Sequence, residues 1–394
     1  MTDSKRIDTA SPEVVRQINR RVVLNLIRTR QPISRADLAR LSGMQRSTIS
    51  LIVEELLAEN WLIEGDTVRL PRGRRPTFLR LNDDRAVIGV DIRPSQITIA
   101  LADVNGQFLS QEILPTPATS RAAAEQIATR IQRIVSLWPG KTIEGIGVSL
   151  PGRVHPASGK LMFAPNLRWA GDDLRALLTA ATGIPVETEN AANACVLASL
   201  WFDQSPQPAE TLRDFVVVTV SEGIGCGILV NGRLARGVNG MAGEFGHVPL
   251  NPDGPKCGCG NNGCWEVYGS NRAALRYYTE ANPQSGTLTF QDLLRLADQG
   301  DAHAVAALDK MAHYLGQGMR LIVTALAPER IVVIGDLTRS WARFGPAIEA
   351  EVNARVLPGT QPPPVVPAHQ DGLARLRGTV ALVLQKHFSA ETGC

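Results

Sequence analysis

The chain has 394 residues, too many for one simple core, and its 44% hydrophobic and 20% charged content excludes a disordered or fibrous polymer. No apolar run approaches the length that spans a bilayer, and the opening MTDSKRIDTA holds no apolar signal core, so a cytoplasmic protein with no membrane partner is expected. The net charge of +3 is uneven: residues 1–80 carry 15 Lys+Arg against 9 Asp+Glu, and the rest carries 26 against 29, which points to a polyanion partner at the N-terminal end.

Ser11-Pro12 reads as a helix start, with Ser at the N-cap and Pro at the first helical position. Val15, Ile18, Val22, Val23, Leu26 and Ile27 then recur at helical spacing. Ser34-Arg35-Ala36-Asp37 has the capping-box pattern and starts a short helix whose inner face is Leu38, Ala39 and Leu41. After a turn at Gly43, a third helix from about Gln45 buries Ile49, Ile52, Val53, Leu56 and Leu57. Gln45, Arg46, Ser47, Thr48 and Ser50 then face outward at its N-terminal end. This is the helix-turn-helix pattern, whose second helix enters the major groove N-terminus first.

Trp61–Ile63 and residues 67–70, separated by Glu64-Gly65-Asp66, read as a two-stranded wing, and the basic run Arg72-Gly73-Arg74-Arg75-Pro76 reads as a linker. Gln45 and Arg46 are candidates for reading base edges. Ser47, Thr48, Ser50, Arg72, Arg74 and Arg75 are candidates for holding phosphates or a minor groove. A protein-interaction winged helix is the alternative, and the exposed polar front with its local charge favours DNA.

From Ala86 the pattern turns to strands: AVIGVDI, ITIALAD, a turn at Val104-Asn105-Gly106, and QFLSQEI. A helix over 119–138, the strand IEGIGVSL, a helix near 172–182 and a strand at 185–187 follow. A second round begins at Asp214 with FVVVTV, GCGILV, a turn at Val230-Asn231-Gly232, and RLARG. Helices near 289–327, the strand RIVVIG, a helix over 340–355 and a closing helix from 373 complete the chain. The repeated strand–VNG–strand device predicts two related α/β lobes facing each other across a cleft.

Three of the six cysteines fall together as Cys257-x-Cys259-x4-Cys264, with His247 ten positions upstream. Three thiolates and an imidazole make a closed tetrahedral set for one structural zinc per chain. A disulfide with a spare thiol fits less well, because nothing marks the chain as secreted and Cys257 and Cys259 are too close to pair comfortably. Glu244 and Glu266 bracket the loop, and a purely structural zinc site has no need of them.

The motifs GVDI (89–92), LPGRV (150–154), PNLRW (165–169), ENAAN (189–193), SEGIGCG (221–227), AGEFGH (242–247) and CGCGNNGCWE (257–266) resemble those of the ROK family (repressors, open reading frames and kinases). The resemblance implies an actin/hexokinase-like ATPase fold of two lobes over residues 83–394, behind a winged helix-turn-helix over 1–82, as in the repressor branch. It places sugar-binding positions on Gly152, Asn166, Asn190, Glu244, His247 and Glu266, with His247 giving one ring nitrogen to zinc and the other to sugar.

The phosphate side departs from the family's kinases. Asp91-Ile92-Arg93-Pro94-Ser95 stands where they carry Asp-x-Gly-Gly-Thr. Asn190-Ala191-Ala192-Asn193 stands where an Asp serves as catalytic base, Ser221-Glu222-Gly223 where Gly-Thr-Gly holds phosphate, and Gly335-Asp336 where a glycine pair faces the nucleotide. These departures imply a sugar sensor without ATP or catalysis. The expectation is a sugar-responsive repressor, homodimeric and possibly tetrameric on a palindromic operator. Its rivals are an active sugar kinase fused to a DNA-binding module and a constitutive DNA-binding protein whose body only dimerises.

Overall fold

The computed structural model describes residues 11–65, 77–164, 166–167, 169, 173–202, 212–354, 359, 361–368 and 372–388. The N-terminal module holds α1 (Pro12–Arg30), β1 (Ile33–Ser34), α2 (Arg35–Ser42), α3 (Arg46–Ala58), β2 (Leu62–Glu64) and β3 (Phe78–Leu81). Ser11 caps α1 by accepting from Val14 N, and Ser34 caps α2 by accepting from Asp37 N. Gly43 ends α2 in the left-handed region at φ 71°, which sets the turn into α3. The module's core is Leu24, Ile27, Leu38, Ile49, Val53 and Leu56, all fully buried.

Three sequence expectations are corrected in this module. Leu41, expected inside, is 52% exposed, because the helix turns it away from the Leu38 stripe. The partner of β2 is β3, paired antiparallel with Leu62 opposite Leu81 and Glu64 opposite Leu79, and β1 pairs on the other edge of β3. A strand at 67–70 and the candidates Arg72, Arg74 and Arg75 lie outside the described residues. The basic run expected to link the modules falls in sequence between the two paired wing strands.

Two sheets of five strands share one plan. In the first, β4 (Arg85–Ile92), β5 (Gln96–Asp103) and β6 (Phe108–Pro115) form an antiparallel meander. The strands β7 (Thr142–Leu150) and β10 (Val186–Asn190) extend it in parallel on the other side of β4. In the second, β11 (Phe215–Val220), β12 (Ile224–Val230) and β13 (Arg233–Leu234) repeat the meander, while β14 (Arg330–Ile334) and β15 (Val365–Pro367) repeat the parallel side. The small pair β8 (Arg153–Val154) and β9 (Leu161–Phe163) stands apart. Helices α4 (Ser120–Leu137) and α5 (Leu174–Thr182) cover the first sheet. The second lobe carries α7 (Glu266–Gly269), α8 (Asn271–Ala281), α9 (Phe290–Asp298), α10 (Ala302–Leu326) and α11 (Trp341–Asn353).

Helices α6 (Ala191–Phe202) and α12 (Ala374–Phe388) lie between the lobes, α6 against β11 and β12, and α12 against β4 and β7. Their backbones nearly touch: a Cβ on Gly378 would come 1.9 Å from Ala194 O. The sequence reading passed over α6, because its buried run of Ala191 to Ala198 has no polar face to give a helical period. The far end of α12 joins the N-terminal module. Val380, Val383, Leu384 and Phe388 share one core with Leu24, Ile27, Trp61 and Leu79, so no solvent layer separates module and body. Phe388 meets Trp61 edge-on at 5.8 Å, Arg85 stacks over the same indole at 4.1 Å, and Arg28 of α1 stacks over Trp201 of α6 at 4.5 Å.

Candidate functional site

The cysteine loop folds as a knuckle clamped by bridges between Pro249 and Cys264 and between Lys256 and Asn262. Gly263 is required at its turn: φ is +62°, and a Cβ there would lie 1.5 Å from Asn251 O. The four donor atoms of His247, Cys257, Cys259 and Cys264 lie within 4.8 Å of one another. His247 Nδ1 is 3.5 Å from Cys257 Sγ, and Cys259 and Cys264 sulfurs are 3.7 Å apart, in contact but unbonded. Burial pushes the Cys257 and Cys264 thiols up, so gathering three thiolates here calls for a cation. The donor set fits a tetrahedral metal ion.

Trp265 fixes the knuckle to the second lobe. It is fully buried, donates from Nε1 to Tyr314 O at 2.8 Å, and nests against α10, where a Cβ on Gly318 would lie 1.9 Å from its ring. The other described cysteines, Cys195 and Cys226, are buried, and burial pushes both thiols up, Cys195 to about 12. Neither is a nucleophile.

Beside the knuckle, between the lobes, opens a cleft with roughly 860 Å³ of empty space counted out to its mouth. Gly152, Asn166, Asn190, Glu244, His247 and Glu266 all line it. Glu244 and His247 arrive together on one short 3-10 turn and the other four on separate segments, so the tertiary fold brings the full set together. Asn190 ends β10 and spans the lip: its Nδ2 donates to Gly152 O at 2.7 Å, and its Oδ1 accepts from Ala192 N at 2.8 Å, capping α6. Asn166 Oδ1 accepts from Arg272 Nη1 of α8 at 3.0 Å. Glu266 Oε2 accepts from Ile224 N at 3.1 Å, and a Cβ on Gly223 would lie 2.2 Å from that oxygen, so only glycine admits the approach.

His247 turns its two nitrogens opposite ways, Nδ1 to the sulfurs and Nε2 to Glu244 Oε2 at 3.8 Å. Burial raises the Glu244 carboxyl above the ordinary carboxylate range; His247 and Arg153 oppose the shift and Glu266 adds to it. A partly desolvated carboxyl that can accept from or donate to hydroxyls suits a polyol.

The opposite wall has little to offer a phosphate chain. Asp91 is 1% exposed, accepts from Ser149 Oγ at 2.7 Å, and is held by Arg93 Nε at 2.8 Å. Pro94 lines the cleft where a backbone N–H could have met an anion, and Ala191 presents a methyl group. Glu189, two residues before Ala191, is committed elsewhere: Oε1 accepts from Asn190 N and Asn193 Nδ2, and Oε2 pairs with Arg236 Nε at 2.9 Å. Arg375 in the lining, and Arg272, which donates to the lining residue Asn166, belong to no motif and carry no signal in the sequence.

On the N-terminal module, Gln45, Arg46, Ser47 and Ser50 are exposed along one end of α3, and Thr48 is half-buried. Arg35 bridges α3 to the wing, pairing with Glu54 at 2.8 Å and Glu64 at 2.9 Å. No described helix is long and apolar enough to cross a membrane.

A model of the ROK family matches residues 87–386. The chain is 31% identical over 356 residues to the xylose repressor of Bacillus spizizenii, covering 89% of this chain and 91% of that protein. Among solved structures, a ROK family transcriptional regulator described as a homologue of the Escherichia coli MLC protein superposes with a TM-score of 0.79 at 25% identity, over 95% of this chain and 98% of that one. A ROK family glucokinase from Streptomyces griseus, solved with glucose and AMPPNP, superposes with a TM-score of 0.68 at 30% identity, over 76% of this chain and 99% of that one. The glucokinase is similar to the body alone, whereas the regulator also extends over the N-terminal module.

Proposed function

The chain belongs to the ROK family, and from that membership we propose that it is a sugar-responsive transcriptional repressor whose kinase-like body senses and does not phosphorylate. Residues 1–82 bind operator DNA through Gln45, Arg46, Ser47, Thr48 and Ser50, with Arg72, Arg74 and Arg75 on the backbone or minor groove. Residues 83–394 hold a monosaccharide through Gly152, Asn166, Asn190, Glu244, His247 and Glu266. One observation supports the reading: those six residues converge on one cleft, while the base position on α6 holds Ala191 and Glu189, two residues before it, is hydrogen-bonded into the scaffold.

Zinc held by His247, Cys257, Cys259 and Cys264 would supply no chemistry beyond fixing a fold. The chain's own groups then do the recognition: with Nδ1 engaged, His247 presents Nε2 to a hydroxyl beside Glu244. A sugar bridging Asn166 and Glu244 draws the lobes towards one closure angle. Both α6 and α12 start at this cleft, and α12, 15 residues or about 22 Å long, ends against Trp61 of the DNA-binding module. Closure therefore changes how the paired modules of a homodimer sit on two half-sites and weakens operator binding.

The test is operator affinity of the full chain with and without a panel of monosaccharides. One sugar should lower it, and indifference to every sugar would end the sensor reading. Coupled ADP release on hexoses and N-acetylhexosamines should stay at background; turnover that Glu244→Ala abolishes would make the protein a kinase instead.

A further inference from the structure

The outward face of α3 holds a residue that the set of DNA-reading side chains leaves out. Residues follow one another at about 100° around a helix. On α3, Ile49, Ile52, Val53 and Leu56 therefore form the buried stripe, and Arg46, Ser47, Ser50, Leu51, Glu54 and Ala58 form the exposed one. Leu51 is the large apolar side chain among those six, and it is 59% exposed. It stands one turn after Ser47, on the side facing away from the core.

A lone exposed leucine on an arbitrary surface needs no explanation. This one is singled out by its place. The N-terminal part of the second helix is what enters the major groove when a helix-turn-helix binds DNA. Arg46 and Ser47 precede Leu51 on that part, Ser50 adjoins it, and residues 1–80 bring 15 Lys+Arg against 9 Asp+Glu to a polyanion. One turn further on, Glu54 pairs with Arg35 at 2.8 Å, and Arg35 also reaches Glu64 of β2 at 2.9 Å. A carboxylate there repels the phosphate backbone, so the stretch suited to the groove ends at Leu51.

We propose that Leu51 is a specificity-determining residue that reads the 5-methyl group of a thymine in the major groove. Thymine presents there one acceptor and that methyl, and an aliphatic side chain makes favourable contact with the methyl. Leucine and methyl are both wet in the free state and both leave water in the complex, so the contact is favourable without any hydrogen bond. Cytosine at the same position carries no methyl and loses it. The inference rests on the N-terminal module binding operator DNA, and not on the body binding sugar.

The experiment uses the full chain. The probes are duplexes it selects from a random-sequence pool, and the same duplexes with each thymine replaced in turn by deoxyuridine, which removes only the methyl. At one thymine in each half-site the replacement should weaken wild-type binding about fivefold. Leu51→Ala should bind the parent duplex about fivefold more weakly and be indifferent to that same replacement, since leucine and methyl are lost as one contact. A cytosine at that position should weaken wild-type binding, and 5-methylcytosine should recover part of the loss. Wild type and variant should melt within about a degree of each other, as expected of a surface substitution.

If the wild type selects no sequence from the pool, the DNA-binding reading falls and this inference falls with it. If it selects one but no deoxyuridine replacement weakens binding, or if Leu51→Ala keeps the wild-type response to every replacement, the Leu51 assignment falls and the DNA-binding reading stands. A Leu51→Ala variant that melts well below wild type, or that weakens binding to selected and random duplexes alike, assigns the side chain to packing or to a protein contact and also overturns the proposal.

Discussion

On one wall of the cleft, Glu244, His247 and Glu266 stand on a knuckle tied down by four metal-ligand donors and by Trp265 driven into the second lobe. On the other, Arg93 is folded back onto Asp91 and Pro94 and Ala191 replace groups that a phosphate-transfer site needs. Both walls belong to one fold, and the lobes behind them repeat the same sheet plan. The contrast is what a body that recognises without reacting would carry. On the proposed reading a polyol would be held by side chains from both lobes, whereas phosphoryl transfer needs bare backbone and a free carboxylate at the strand ends. On the proposed reading, a body without that glycine and aspartate would keep its pocket and lack the reaction.

The largest expected effect strikes the knuckle wall. The wild type should carry about one zinc per chain by elemental analysis, and Cys257→Ser should lose it, along with metal-binding free energy on the order of 10 kcal/mol and a cooperative melt of the second lobe. Zinc persisting at full stoichiometry after removal of two cysteines would break the assignment.

Next comes the anchor behind that wall. Trp265→Ala should cost about 3–5 kcal/mol in denaturant unfolding, since α10 with its Gly318 notch cannot close over the void. A smaller loss would mean that the knuckle holds its place by metal alone. Third, Glu266→Gln should weaken sugar binding by about 1.5–3 kcal/mol in calorimetry while operator affinity without sugar stays within twofold of wild type. Equal sugar affinity would remove Glu266 from the pocket.

The smallest effect sharpens the comparison from the phosphate wall. Ala191→Asp restores a carboxylate at the base position, and ADP release should nevertheless stay at background, because Arg93 and Pro94 still exclude a triphosphate. Turnover in that single variant would show that only the base had been lost.

Much of this was legible in the chain itself. Apolar period and Asn-Gly turns marked both meanders, and Ser11, Ser34 and Gly43 marked the helix ends, because these signals act within a few residues. The β3 partner of β2 is not legible for the same reason: it lies beyond the basic run, at Phe78–Leu81, and pairing at that distance leaves no local trace. Helix α6 was missed because a helix buried on every side has no amphipathic face. Leu41 has a spacing from Leu38 that fits a helical stripe, but it stands at the edge turned away from the buried face and is 52% exposed.

What the sequence determined by itself was chemistry carried in contiguous motifs: three cysteines and a histidine at metal spacing, a helix-turn-helix front, an alanine where a base would stand. What only the tertiary structure decided was convergence. Gly152, Asn166, Asn190 and Glu266 meet because two lobes close on α6 and α12; Arg272 and Arg375 join them from elements that no motif marks. The physical reason is that ligand geometry and the pairing of buried charge depend on through-space distance, and spacing along the chain encodes that only inside a turn or a single helix.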